Sequence, residues 1–361
     1  MNRSFTNKIG TVFVLAGILV TSRVGAGDLN PPPGPIAPTQ RTPIGANTTP
    51  GDALSLFKIT QSGSYYLTGN ITGVVGKHGI EIESGAVTID LMGFALVGVP
   101  GSLDGVHVTN PLNDIAVING SVQKWERGIN LSSATHTRVA DVQASSNVST
   151  GILTGSNAVV TKCGAHLNGS HGVFVSSGTV FDCSARNNTG AGIVCFDGCM
   201  VANSSSGNNG TGISLGDGNS ITNCAVDNNN GIGIDASEGN TITNCTVSRN
   251  TLDGIRVLNS NTIRGNNCYR NGDGGDGAGI HAEGSDNRID LNNSTLADRG
   301  IDVDFAGNFI TRNTCSGNTT NWDVIVNNNL LVVIAVDAAA VVGNSGGVSP
   351  GSTDPNANFS Y

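Results

Sequence analysis

Asp235, Arg256, His281 and Asp302 each stand two positions after a glycine that opens a short apolar alternation, at Gly233, Gly254, Gly279 and Gly300. Glu283 and Asp304 stand four positions after the last two of these glycines. A carboxylate, a guanidinium and an imidazole recurring in one register are the ingredients of acid–base chemistry on a polymer. On that reading Arg256 neutralises a substrate carboxylate, His281 acts as acid or base, and Asp302 orients it. Asp235, Glu283 and Asp304 then line the substrate path. Residues 249–312 hold seven Arg and nine acids in a chain with only 12% charged residues, so the concentration is local. The plainer reading is a solvated strand face, on which opposite charges on neighbouring strands stabilise one another.

What must position these residues is a repeat. Glycine followed by Ile or Val recurs at Gly79, Gly105, Gly128, Gly151, Gly172, Gly192, Gly212, Gly233, Gly254, Gly279 and Gly300, at intervals of 20 to 26 residues. Asp323-Val324-Ile325-Val326 reads as one further, degenerate unit. Within units the alternation has period two, as in "GVHVTN", "GISLGD" and "GIDVDF", which predicts strands with one face buried. No unit carries a helical period. The Leu-x-x-Leu-x-Leu of a leucine-rich repeat is absent, and a propeller blade needs about twice the residues per unit. What remains is a coil of two or three short strands per turn, each stacking on its counterpart in the next turn.

Two columns follow from the register. Asn recurs four residues before the repeat glycine at Asn147, Asn168, Asn188, Asn208, Asn229 and Asn250. That predicts an amide ladder at a corner, where Asn tolerates left-handed backbone. The near-identical "GNSITNC" (218–224) and "GNTITNC" (239–245) put Cys224 and Cys245 in a column with Cys163 and Cys183; Cys268 and Cys315 follow at slightly longer offsets. Stacked cysteines have parallel Cβ vectors and do not converge as a disulfide requires, so buried thiols behaving as hydrophobes are expected. Cys195 and Cys199, the least regular pair, are the best disulfide candidates. Metal binding by the thiols is disfavoured, since no His shares their spacing.

The Gly-Ile-x-Val starts, the 20–23-residue units and the Asn-rich corners resemble the right-handed parallel β-helix repeat proteins of the pectin-lyase-like superfamily. The resemblance implies an all-β, right-handed parallel β-helix solenoid of about 11–12 rungs with short terminal caps, over residues 73–330. It implies little about activity, because this scaffold carries lyases, hydrolases, epimerases, adhesins and phage tailspikes. The Asn-Thr-Asp, Asp-Asp, Gly-His-Gly and Arg-Ile-Lys motifs of polygalacturonases are absent, as are the pectate-lyase Trp-Ile-Asp-His block and the epimerase Asp-Pro-His motif. Trp125 and Trp322, the only Trp, lie outside the outward column, so aromatic sugar platforms are scarce.

Residues 1–26 read as a signal peptide: Arg3 and Lys8, an apolar run from Ile9 to Val20, then Val24-Gly25-Ala26. Residues 27–72 are expected to form a Pro-rich lead-in and N-terminal cap, and residues 331–361 a C-terminal cap and tail. The expected location is secreted, periplasmic or cell-surface, with no membrane span after signal cleavage. Loss of Arg3, Lys8 and Arg23 takes the net charge from −9 to −12. Such a chain is repelled by nucleic acid and anionic membranes, and meets free polyuronates only through a cation or a local basic patch. The sequence establishes no cofactor; calcium is the candidate cation, with Asp273 and Asp276 of the single "GDGGDG" stretch as its ligands. His78 and His171, each just before a glycine, read as turn residues. The middle of the outward column is apolar, with Leu153, Phe174 and Val194 and Phe196 beside them, which predicts an interface or a surface covered by a terminal segment. Three functions stand: an exported scaffold engaging polysaccharide or another extracellular polymer, a polysaccharide lyase, hydrolase or epimerase using the charged column, or a structural or adhesive rod.

Overall fold

Alternation within each unit makes strands, and the corner residues between them keep the strands short. The computed structural model describes residues 41–335, 341–343 and 354–361. The expected signal peptide and residues 27–40 of the lead-in lie outside the described residues. Fourteen parallel strands, from Ser55–Ile59 to Val341–Gly343, stack into one front sheet. All but two of the other strands form a continuous parallel sheet around the remaining faces, Leu112–Asn113 and Ala134–Thr135 pair separately, and the described residues contain no helix. From Ile152 onward most turns contribute three short strands, such as Thr211–Leu215, Ser220–Thr222 and Ala225–Asp227. Two earlier turns fuse the second and third strands into Ile115–Gln123 and Arg138–Ser145, bent at left-handed Asn119 and Asp141.

The coil is longer than the glycine series. Eleven glycine starts and the degenerate unit at Asp323 account for twelve front strands. The two terminal ones, Ser55–Ile59 and Val341–Gly343, lack the glycine and extend the array to fourteen. At ~4.8 Å per rung the sheet is about 60 Å long. Its first inward column, from Ile80 to Ile301, is all Ile and Val, and its second, from Ile82 to Val303, mixes Ile, Val, Leu and Ala with Thr154 and Cys195; both are essentially inaccessible to solvent.

The repeated heptapeptide resolves into two successive corners. In "GNSITNC" Gly218 takes φ 64 and Asn219 then turns inward; Asn223 takes φ 54 and Cys224 then turns inward. A left-handed residue followed by a buried polar or thiol side chain is the rule at all three corners. The predicted ladder exists, running Asn147, Asn168, Asn188, Asn209, Asn229, Asn250 and Asn271, with amide-to-amide bonds of 2.8–3.2 Å. Asn208 is not in it. Asn208 is the left-handed, exposed residue before the ladder position, because this corner is one residue shorter than its neighbours. The ladder amides therefore face inward, and the residue before each one makes the turn.

Two further ladders escaped the sequence reading: Asn219, Asn240, Asn261, Asn287, Asn308 and Asn328 at one corner, and Asn266, Asn292, Asn313 and Asn358 at another. The latter continues the column that begins as Cys163, Cys183, Ser204, Cys224 and Cys245, since the Cys245 amide donates to Asn266 Oδ1 at 2.9 Å. Cys268 and Cys315 belong to a different column, registered with Val247 and Ser294. All eight cysteines are buried free thiols, Cys195 and Cys199 included. Burial pushes the Cys268 thiol up to about 12, so it behaves as a hydrophobe.

The repeat glycines are explained by close approach. A Cβ on Gly151 would lie 2.7 Å from the Asn168 amide and 2.8 Å from the Gly172 carbonyl. Only hydrogen fits between one rung and the ladder beneath it.

Candidate functional site

The outward column stands in full register on the front sheet. Lys58, Glu81, His107, Asn130, Leu153, Phe174, Val194, Ser214, Asp235, Arg256, His281, Asp302 and Asp323 follow one another as direct partners on adjacent strands. The face has a polar N-terminal end, an apolar middle and a charged C-terminal end.

At the charged end the structure brings Arg256, His281 and Asp302 onto successive strands, as the spacing predicts. His281 is the hub. Its Nδ1 lies 3.2 Å from Asp253 Oδ2 and 3.8 Å from Glu283; its Nε2 lies 3.2 Å from Asp304 and 3.7 Å from Asp302. Burial disfavours the imidazolium, but Asp253, Asp302 and Asp304 outweigh it and raise the ring to about 9. Asp302 is almost wholly buried, and that burial raises its carboxyl to about 6 against the opposing pull of His281 and Arg299. Between those two values His281 and Asp302 form an ion pair.

Arg256 grips Asp235 with two bonds, Nε at 3.0 Å and Nη2 at 3.1 Å, and approaches Glu283 at 3.9 Å. Its guanidinium is therefore already engaged and does not stand free for a substrate carboxylate. Arg299, absent from the spacing argument, donates to Asp302 at 2.9 Å, approaches Asp323 at 3.1 Å and pairs with Asp276. Asp253 and Arg299 sit one position before their repeat glycine. A scan of that position would have found them, together with His78, Asp104 and Arg127.

The glycine-rich stretch is not a cation cage. Its backbone amides at Gly274, Gly275 and Gly277 converge at 3.0–3.3 Å on the Asp298 carboxylate. A nest of N–H groups receives an anion. Asp276 carries Arg299, and Asp273 lines a shallow hollow of about 470 Å³ with Arg249 and Arg270, so the two expected calcium ligands are not brought to one point. Among the described residues, two triads have ligand atoms within 4.8 Å of one another: His78, Asp104 and His107, and His281, Asp302 and Asp304. The Asp104 and Asp302 carboxylates already hold Arg127 and Arg299 respectively, which leaves less negative charge for an ion.

At the polar end, Asp104 is buried and receives Arg127 at 2.8 and 3.2 Å, Asn130 at 2.9 Å and His107 at 2.9 Å. Burial opposes its ionisation, yet these donors lower the carboxyl to about 2. His78 is more than a turn residue: its ring stacks on His107 with centroids 4.1 Å apart and planes within 8°. His171 accepts the Ala191 amide at 3.0 Å and leans on Phe174.

In the apolar middle, Leu153, Phe174 and Val194 are half-buried and Phe196 is exposed, its ring 5.5 Å from that of Phe174. The described tail does not cover them. Its strand Asn358–Ser360 instead pairs with Thr314–Ser316 and Val333–Ala335 in the other sheet.

A family model described as the right-handed β-helix region matches residues 57–208 and 194–319, and the chain belongs to that family. No curated protein sequence matches. Among solved structures, the A-module of the Azotobacter vinelandii mannuronan C-5 epimerase AlgE4 is similar, with a TM-score of 0.60 at 13% identity, over 75% of this chain and 89% of that one. The periplasmic alginate epimerase AlgG aligns at TM-score 0.48 and 14% identity, covering 79% and 76%. The Dettilon tailspike protein aligns at 0.44 and 16%, covering 85% and 60%. At these identities the likeness is one of fold. Among the described residues no helix is long and apolar enough to cross a membrane.

Proposed function

We propose that the protein engages a polysaccharide laid along its front sheet, and that this polymer is neutral. The observation that carries the reading is the outward column itself, polar at both ends and apolar between, in unbroken register over thirteen strands. Hydroxyl-rich chains with apolar ring faces match that alternation. Charge selects among polymers. At the C-terminal end Asp235, Asp253, Asp276, Glu283, Asp302, Asp304 and Asp323 outnumber Arg256, Arg299 and His281, and both arginines are held by carboxylates. A polyuronate meets repulsion here, whatever the fold resemblance to alginate-modifying proteins. Export of the chain fits this reading, and its mark is a mature N-terminus near residue 27.

The test is a panel of immobilised neutral, amino-bearing and uronate polysaccharides, with retention measured on each. Retention on neutral glucans, weakened at least severalfold in Phe174→Ala, is the expected result. Retention on uronates alone, or on nothing, overturns the reading and leaves a structural or adhesive rod.

A second reading makes the charged end catalytic, with Asp302 moving the proton, His281 as its charged partner, and Arg256 and Arg299 as positioning residues. The observation favouring it is a buried carboxyl held near 6 beside an imidazolium held near 9. The expected pH–rate profile is a bell with limbs near those values. Assays of the same panel for new reducing or unsaturated ends give the readout. Turnover that survives both His281→Ala and Asp302→Asn removes the site from consideration.

A further inference from the structure

The polar N-terminal end of the front sheet contains a constellation that the charged column does not use. The Asp104 carboxylate is an acceptor only, and it is ionised, so the His107 nitrogen 2.9 Å away must donate. Whenever its ring is uncharged, His107 carries its proton on Nδ1 and leaves a lone pair on Nε2. His78 is fixed the other way. Its Nδ1 accepts the Asp104 backbone N–H at 3.1 Å, so its proton sits on Nε2. Burial above all holds the His78 ring below the usual imidazole range and favours its neutral form. The rings are stacked and nearly parallel, with 14% and 18% of their side chains exposed. Their Nδ1 edges face buried Asp104, so both Nε2 edges turn away from it. Among the described residues neither Nε2 has a partner.

We propose that His107 Nε2 and His78 Nε2–H form a second site on the front sheet, an acceptor and a donor side by side that bind hydroxyl groups of a neutral saccharide. A hydroxyl donates to His107 and, in the same step, it or its neighbour accepts from His78. The surroundings select against anions, because acids outnumber bases here: Lys58 alone is shared by Asp52, Glu81 and Glu83. Asp104 holds Arg127, and Glu81 lies 3.4 Å from Lys58 while accepting Thr109 at 2.7 Å. Arg127 and Asn130 are positioning residues that fix Asp104, and Asp104 in turn fixes the tautomer of His107.

This inference rests on the front-face reading and sharpens it. His107 lies eight strands from His281 along the sheet, about 38 Å at the rung spacing. A polymer reaches both sites, whereas a trisaccharide reaches one. Length should therefore raise affinity by more than the sum of new contacts.

The experiment uses the full chain labelled with ¹⁵N in histidine, cellotriose as the short probe, and a soluble β-glucan as the long one. In the free protein, long-range ¹⁵N–¹H correlations should show Nδ1–H for His107 and Nε2–H for His78; the reverse pattern overturns the proposal before any ligand is added. Cellotriose should shift both ring signals, and His107→Ala should weaken glucan binding about tenfold, the scale of one or two lost hydrogen bonds. His78→Gln, which keeps a donor, should lose less. Glucan binding that leaves both rings unshifted and is indifferent to His107→Ala sinks this site and spares the front-face reading. Failure of any neutral glycan to bind sinks both.

Discussion

His281 has four carboxylates about it and Asp302 has almost no water, and these two facts set opposite electrostatic problems for adjacent residues. Both folded values lie above the unfolded ones, so both contributions to stability are fully present at low pH and fade as pH rises. For Asp302 the fading window runs from about 4 to about 6, and for His281 from about 6.5 to about 9. Thermal unfolding between pH 6.5 and 9 should therefore show a falling midpoint, and His281→Gln should flatten that slope. A slope unchanged in the variant would place the titration elsewhere. Asp104 behaves oppositely, since its lowered value gives stability above about 4 that is lost towards pH 2. The charged residues two and four positions after the glycine were legible because period two fixes which side chains leave the sheet. Asp253, Arg299 and Asp104 were not, because they stand one position before the glycine, where the two-residue alternation does not assign a face; Asp253 and Asp104 precede their strands and Arg299 opens its own.

Corners are where the elements are decided, and the ladder register can be tested by two adjacent substitutions. Asn209 is fully buried; it accepts from the Asn188 amide and side chain and donates to Ala185, Ser206 and Asn229. Asn209→Ala strands two buried donors and should cost about 3 kcal/mol in urea unfolding. Asn208 is exposed at φ 55, and Asn208→Ala should cost only about 1 kcal/mol, the strain of a left-handed alanine. Equal losses would mean the ladder runs through the wrong residue. The repeat itself was readable because stacking forces equivalent residues into columns. The choice between Asn208 and Asn209 was not, because one residue added or removed at a corner changes no composition and flips which side chain points inward.

On the scale of the whole coil, an open end exposes unpaired strand edges, and the C-terminal strand Asn358–Ser360 closes one of them. Asn358 terminates an amide ladder by accepting from the Asn313 amide at 2.9 Å, and donates to the Ile310 and Leu331 carbonyls. Truncation after residue 353 removes that strand and uncovers Thr314–Ser316. The shortened chain is expected to unfold at lower temperature and to form higher-order species in light scattering. A monodisperse truncation of unchanged midpoint would show that the strand is dispensable.

The sequence by itself determined the coil, its parallel strands and the contents of each outward column. Those follow from a 20–26-residue period and a two-residue alternation, which have one mutually consistent way to bury their apolar positions. Tertiary structure alone decided what the columns do. It placed Arg256 on Asp235 instead of leaving it free, wrapped the glycine loop around Asp298, and stacked His78 on His107. Those pairings depend on ångström-scale distances across corners. Residues 21 to 29 apart meet on coils whose loop lengths vary by a residue or more, and a periodicity cannot specify such contacts.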